Sequence, residues 1–135
     1  MLINFPLLIL VFAAYNSIVF FTKSTLDTII FSAKMISGAQ WVFSLGDLLI
    51  SVALLMLFIE LLKSTRSGTV SIIDHMLSTF VFIGFLVEFI VVEQAATSTF
   101  FLLTIIALID VIAGYSVTIQ SARRDFGVGP GDGLF

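Results

Sequence analysis

Residues Phe101–Arg124 read FLLTIIALIDVIAGYSVTIQSARR, an apolar run closed by two arginines, with one aspartate, Asp110, near its middle. A helix that crosses the hydrocarbon of a bilayer needs roughly 20 apolar residues, and Phe100–Ser121 supplies such a segment. Three more lie upstream, at about Leu2–Phe21, Leu45–Leu62 and Ile72–Val92. In lipid the backbone has to satisfy its own hydrogen bonds, and without β-barrel alternation that makes each segment a helix. The expected fold is an all-α integral membrane protein, four transmembrane helices in a compact bundle.

Composition agrees. The chain of 135 residues is 59% hydrophobic and 11% charged, with a mean hydropathy of +1.20. That leaves too little polar surface for a soluble domain. The spans and their connections fill residues 1–121 as a single membrane domain. The Gly-rich remainder, 122–135, reads as a flexible cytoplasmic tail. The first segment lacks a basic start and an A-x-A cleavage site, so it is expected to be a retained span rather than a signal peptide.

A short device recurs at the expected helix starts: Ser24 and Asp27, Ser44 and Asp47, Ser71 and Asp74 each form S-x-x-D. In a capping box the hydroxyl accepts from an early backbone N–H, while the acid three residues on reaches back. The second and third pairs stand where spans two and three should begin. The first is expected to open an amphipathic interfacial helix over about 25–37. Its face would carry Leu26, Ile29, Ile30, Ala33 and Ile36, with Asp27, Ser32, Lys34 and Ser37 elsewhere and only Phe31 against the pattern. Gly38 would end it, and Trp41 would anchor at the interface.

Basic residues orient the chain. Lys63 and Arg66 follow span two, Arg123 and Arg124 close span four, and only Lys23 and Lys34 fall on the other side. The positive-inside rule then places both termini in the cytoplasm, as in a bacterial inner membrane.

Asp110 lies about ten residues, or about 15 Å, into span four. A carboxyl at that depth has to face protein or water and find a partner. Ala107, Asp110, Gly114, Thr118 and Ser121 fall within an arc of roughly 80°, and Gly114 with Thr118 forms a small-residue pair suited to close helix approach. Glu88 has a similar setting in span three, one turn after Gly84. Tyr15 and Asn16 of span one are candidate hydrogen-bond partners. Glu60 is expected to pair locally with Lys63, and His75 reads as an interfacial histidine.

Several function classes lack their residues. With no cysteine there is no disulfide, thiolate or Cys-based metal site, and the single histidine leaves little for a metal. No nucleophile–base spacing, phosphate loop or pair of deep aspartates is present, so catalysis is not expected. A net charge of −3 without a basic run gives no nucleic-acid surface. No cofactor is expected, although fifteen phenylalanines are compatible with a bound lipid, quinone or pigment. The expected partners are the bilayer and other membrane subunits or copies of the chain itself. The expected function is a non-catalytic accessory or scaffold subunit of a larger membrane complex. The alternative is a homo-oligomeric channel or carrier with a cation or proton path through Asp110 and Glu88.

Overall fold

The computed structural model describes residues 6–64 and 69–127, with the backbone alone at 64, 69–71, 117, 118 and 120–127. Among these residues the chain forms helix α1 (Leu8–Phe21), strands β1 (Ile29–Lys34) and β2 (Gln40–Ser44), then α2 (Leu45–Ser64), α3 (Thr69–Val91), a 3-10 turn (Glu93–Ala95) and α4 (Ser98–Gly127). Three stretches, Leu45–Lys63, Ile72–Val91 and Ser98–Ser116, are long and apolar enough to cross a membrane. Helix α1 is equally apolar but has only 14 residues, about 21 Å of helix against a hydrocarbon core of roughly 30 Å. It begins just after Pro6, a residue suited to a helix start because its missing N–H would be unpaired there anyway. The expected beginning of span one, Leu2–Phe5, lies outside the described residues.

Helix α4 is the spine of the bundle, packed on both α2 and α3, while α1 closes the other side against the same two helices. Its buried positions Phe100, Leu103, Thr104, Ala107, Asp110 and Gly114 recur at three- and four-residue spacing, the stripe that a helix presents to its neighbours. Leu8, Val11 and Tyr15 of α1, Leu49, Ala53 and Leu57 of α2 and Phe85 of α3 meet this stripe to form the core.

The expected interfacial helix over 25–37 is not formed; the segment is half of an antiparallel β-hairpin. Phe31 pairs with Phe43, Ser32 with Val42, Ala33 with Trp41 and Lys34 with Gln40, with a bulge between Ile29 and Phe31. Two features outweigh the helical periodicity. Ile29, Ile30 and Phe31 on β1 and Trp41, Val42 and Phe43 on β2 are β-branched or aromatic, and such side chains favour pleated backbone. Gly38 adopts φ 90°, open to glycine at no cost, and the Met35–Ala39 turn around it closes with Met35 N–H donating to Ala39 C=O at 2.8 Å. Phe31, the misfit on the helical face, stacks on Phe43 with ring centroids 5.0 Å apart. Ser24 and Asp27 therefore cap no helix, and the Thr25 N–H is taken by Thr28 Oγ1 instead.

Two other expectations change. Helix α3 already begins at Thr69, so Ser71 and Asp74 stand inside it rather than at its cap. Helix α4 continues to Gly127, so the tail does not begin at 122; residues 128–135 lie outside the described ones.

At Gly114 α3 and α4 approach closely, for a Cβ there would enter the His75 ring. At Gly84 it would meet only Phe12 Cζ, at 4.0 Å. Gly114→Ala should therefore destabilise the detergent-solubilised protein by about 1–3 kcal/mol through overpacking. Gly84→Ala should leave its unfolding midpoint unchanged or raised. Thermal unfolding of the two variants compares them directly.

Candidate functional site

Three helices bring their polar side chains together at the end of the bundle nearest residues 65–68. Helix α2 contributes Glu60 and, one turn on, Lys63. Helix α3 contributes Asp74, His75 and Ser78, and α4 contributes Asp110. Glu60, Asp74, His75, Ser78 and Asp110 are all 2–3% exposed. Lys63 Nζ bridges two of the acids, 3.3 Å from Glu60 Oε1 and 3.7 Å from Asp74 Oδ2. Asp110 lies within the electrostatic reach of Glu60, Asp74 and Lys63, and the Ser78 hydroxyl lies beside its carboxyl without the geometry of a hydrogen bond. Among the described residues, Asp74 Oδ1 and Ser78 Oγ find no hydrogen-bond partner.

Glu60 has a second task. Its Oε1 accepts the Leu7 N–H at 2.6 Å, so a carboxyl from α2 sits on the N-terminus of α1, where orphan donors and the helix dipole favour negative charge. The same oxygen thus receives an ammonium and a helix end. Next to this group, Tyr115 Oη and Thr79 Oγ1 share a hydrogen bond of 3.0 Å, and Thr79 also donates back to His75 C=O at 2.8 Å.

A second polar group lies at the opposite end. Tyr15, fully buried, donates from its hydroxyl to Gln94 C=O at 3.1 Å and lies 2.8 Å from Thr97 Oγ1. Thr97 in turn caps α4 by accepting the Phe100 N–H at 3.1 Å. Asn16 Nδ2 donates to Glu88 Oε2 at 3.1 Å and to Phe12 C=O at 3.0 Å.

An aromatic layer separates the two groups. Phe100 stands at its centre, with ring centroids 4.7 Å from Tyr15, 5.3 Å from Phe85 and 6.4 Å from Phe12. Phe12 meets Phe85 edge-on at 4.8 Å. Glu88 is ten residues beyond Ser78 in α3, about 15 Å along the axis. Asp110 and Glu88 both turn inward but belong to different groups.

The other anticipated residues fall as follows. Ser44 N–H and Oγ both donate to Asp47 Oδ2, at 3.0 and 2.9 Å, and Asp47 N–H donates to Ser44 Oγ at 3.3 Å. That is a reciprocal cap at the start of α2. Gly84 borders a groove between α1 and α3, and Gly114 is buried against His75. The Thr118 and Ser71 side chains lie outside the described residues. The network roles of Glu60, Lys63, Asp74, Ser78 and Thr97 went unread. Their signal was present in α3, where Asp74, Ser78, Val81, Phe85 and Glu88 form one helical stripe that is polar at both ends and apolar between. No group of three or more His, Cys, Asp or Glu side chains suited to a metal occurs among the described residues.

Compared with protein-family models, with curated proteins and with solved structures, the chain matches none of them.

Lys63→Met would leave the buried Glu60 and Asp74 carboxyls without the ammonium between them. It should cost about 3–5 kcal/mol, the usual penalty for removing one partner of a buried ion pair. Tyr15→Phe should cost only about 1–2 kcal/mol, a neutral hydrogen bond. Denaturant unfolding in mild detergent should rank them in that order.

Proposed function

We propose that the chain is a multi-pass membrane protein, α1 included as a crossing, that acts as a non-catalytic accessory or scaffold subunit beside other membrane chains. The observation that carries this reading is the way the buried side chains are used. The deep polar groups join helix to helix, and Phe12, Phe85 and Phe100 pack on one another between them. That leaves the outer surface for recognition. Two apolar grooves run beside α1, one lined by Ile9, Phe12, Phe80, Val81 and Gly84. The other lies between α1 and α2, along Val11, Ala14, Ile18, Leu49 and Val52. Grooves of this kind fit a neighbouring helix, a lipid chain or a quinone or pigment tail.

The second reading, a homo-oligomeric channel or carrier using Asp110 and Glu88, draws support from the convergence of three acids on one seam. Its path would have to run between protomers, because within one chain the aromatic layer stands between the two carboxyls. A bacterial inner-membrane location with cytoplasmic termini rests on the placement of Lys63, Arg66, Arg123 and Arg124.

Native mass spectrometry of the protein, gently extracted from its own membrane, should show a foreign polypeptide at fixed stoichiometry. A pure homo-oligomer would favour the channel. Asp110→Asn should keep that assembly, and loss of ion or proton flux in reconstituted vesicles would move the path to the front. The chain has no cysteine, so Gln94→Cys, at an exposed site between α3 and α4, gives a unique label. A membrane-impermeant maleimide should reach it from outside intact cells; labelling only after permeabilisation would reverse the orientation.

A further inference from the structure

We propose that the β1–β2 hairpin is an interfacial anchor that lays its aromatic face into the headgroup layer of the bilayer. This rests on the reading that the chain spans a membrane, and not on its role as a subunit.

The hairpin has two unlike faces. Phe31, Ala33, Trp41 and Phe43 share one, because strand side chains alternate and Phe31 pairs with Phe43, Ala33 with Trp41. Their rings pack on one another, Phe31 against Trp41 at 5.2 Å and Trp41 against Phe43 at 5.9 Å. Ser32, Lys34, Gln40 and Val42 lie on the other. The bundle covers neither face: every residue of β1 and β2 is exposed or only half-buried, and Ile36 at the tip is fully exposed. A two-stranded hairpin is at best marginally stable by itself in water. An aromatic face left in water would add an apolar patch of the kind that marks an interaction site.

The attachment of the hairpin says what that surface meets. Strand β2 passes into α2 with no intervening residue, Ser44 to Leu45. Leu45 N–H donates to Thr28 C=O at 2.8 Å and Gly46 N–H to Leu26 C=O at 2.9 Å, fixing the base of the hairpin to the first turn of α2. That turn opens a segment long and apolar enough to span, so the hairpin leaves the bundle at the membrane boundary.

Its depth is bounded from both sides. The outer edges of a two-stranded sheet carry unpaired N–H and C=O groups, which hydrocarbon cannot satisfy. The Trp41 indole N–H likewise needs an acceptor, which headgroup and ester oxygens supply. The Phe31 and Phe43 rings need an apolar phase. Only the layer between water and acyl chains meets all three demands. Charge does not favour a protein partner, since this end of the chain carries Lys23 and Lys34 together with Asp27, Asp47 and Glu93.

Trp41 is the sole tryptophan, so intrinsic fluorescence reports this face alone. The full chain would be reconstituted into phosphatidylcholine vesicles brominated either near the glycerol end of the acyl chain or near its terminus. Strong quenching by the shallow bromine, weaker quenching by the deep one and little quenching by aqueous iodide are expected. Iodide quenching without bromolipid quenching would put the hairpin in water and overturn the proposal. Emission protected from both quenchers, and exposed on dilution into excess lipid, would overturn it in favour of a second copy. The double variant Phe31→Ser, Phe43→Ser should shift Trp41 emission to the red and raise its iodide quenching; unchanged emission would also sink the anchor. The maleimide reaction at Gln94→Cys tests the crossing itself, so failure of the anchor and failure of the membrane reading are separable.

Discussion

A carboxyl group buried between helices loses the water that solvates it, and here that demand decides where the helices meet. Glu60 is solvated by the Leu7 N–H and the Lys63 ammonium. Through Lys63 it is joined to Asp74 of α3, and the same ammonium lies within electrostatic reach of Asp110 of α4. One lysine and one helix end thus tie α1, α2 and α3 together at a single level, beside Asp110 of α4. Apolar side chains cannot do this, because between helices in lipid the hydrophobic effect is absent: a leucine is as well placed against an acyl chain as against its neighbour. Polar contacts and close packing must supply the specificity. The Gly114–His75 approach is the packing half of the same joint.

The far end repeats the solution with weaker chemistry. Tyr15 and Asn16 reach from α1 to the turn after α3 and to Glu88, and Thr97 ties that turn to the start of α4. Helix α1 is therefore held at both ends by hydrogen bonds and in the middle by Phe12 against Phe85 and Phe100. Such an arrangement suits a helix too short to gain much from contact area.

The helices were legible because twenty apolar residues in a row have few alternatives, and α4's inward face was legible because small and polar residues recur on it at helical spacing. The charged joint was much less so. Asp110 announced itself as a lone acid in an apolar run, whereas Glu60 and Asp74 stood near helix ends, where local explanations suffice: an i,i+3 ion pair for one and a cap for the other. Both explanations use only neighbours in sequence. The actual partners, Leu7 at 53 residues' separation from Glu60 and Lys63 of the preceding helix for Asp74, depend on tertiary placement that no local pattern encodes. The Glu60–Lys63 pair exists, but it is one part of a larger joint.

The hairpin failed to be read for a different reason. Between Leu26 and Ile36 the apolar residues fit period 3.6 almost as well as period 2, and the helical reading used only the first half of the element. A strand is completed by its partner, and the partner, Gln40–Ser44, lay beyond the glycine taken as a helix stop. Gly38 is compatible with either reading, since a left-handed residue ends a helix as readily as it turns a hairpin. What separates them is the other side of the turn: Trp41, Val42 and Phe43 have no helical role, yet each stands opposite a β1 residue in the register. Pairing across a turn, rather than periodicity on one side of it, was the decisive signal, and it explains why Phe31, the residue that spoiled the helix, sits at the centre of the aromatic face.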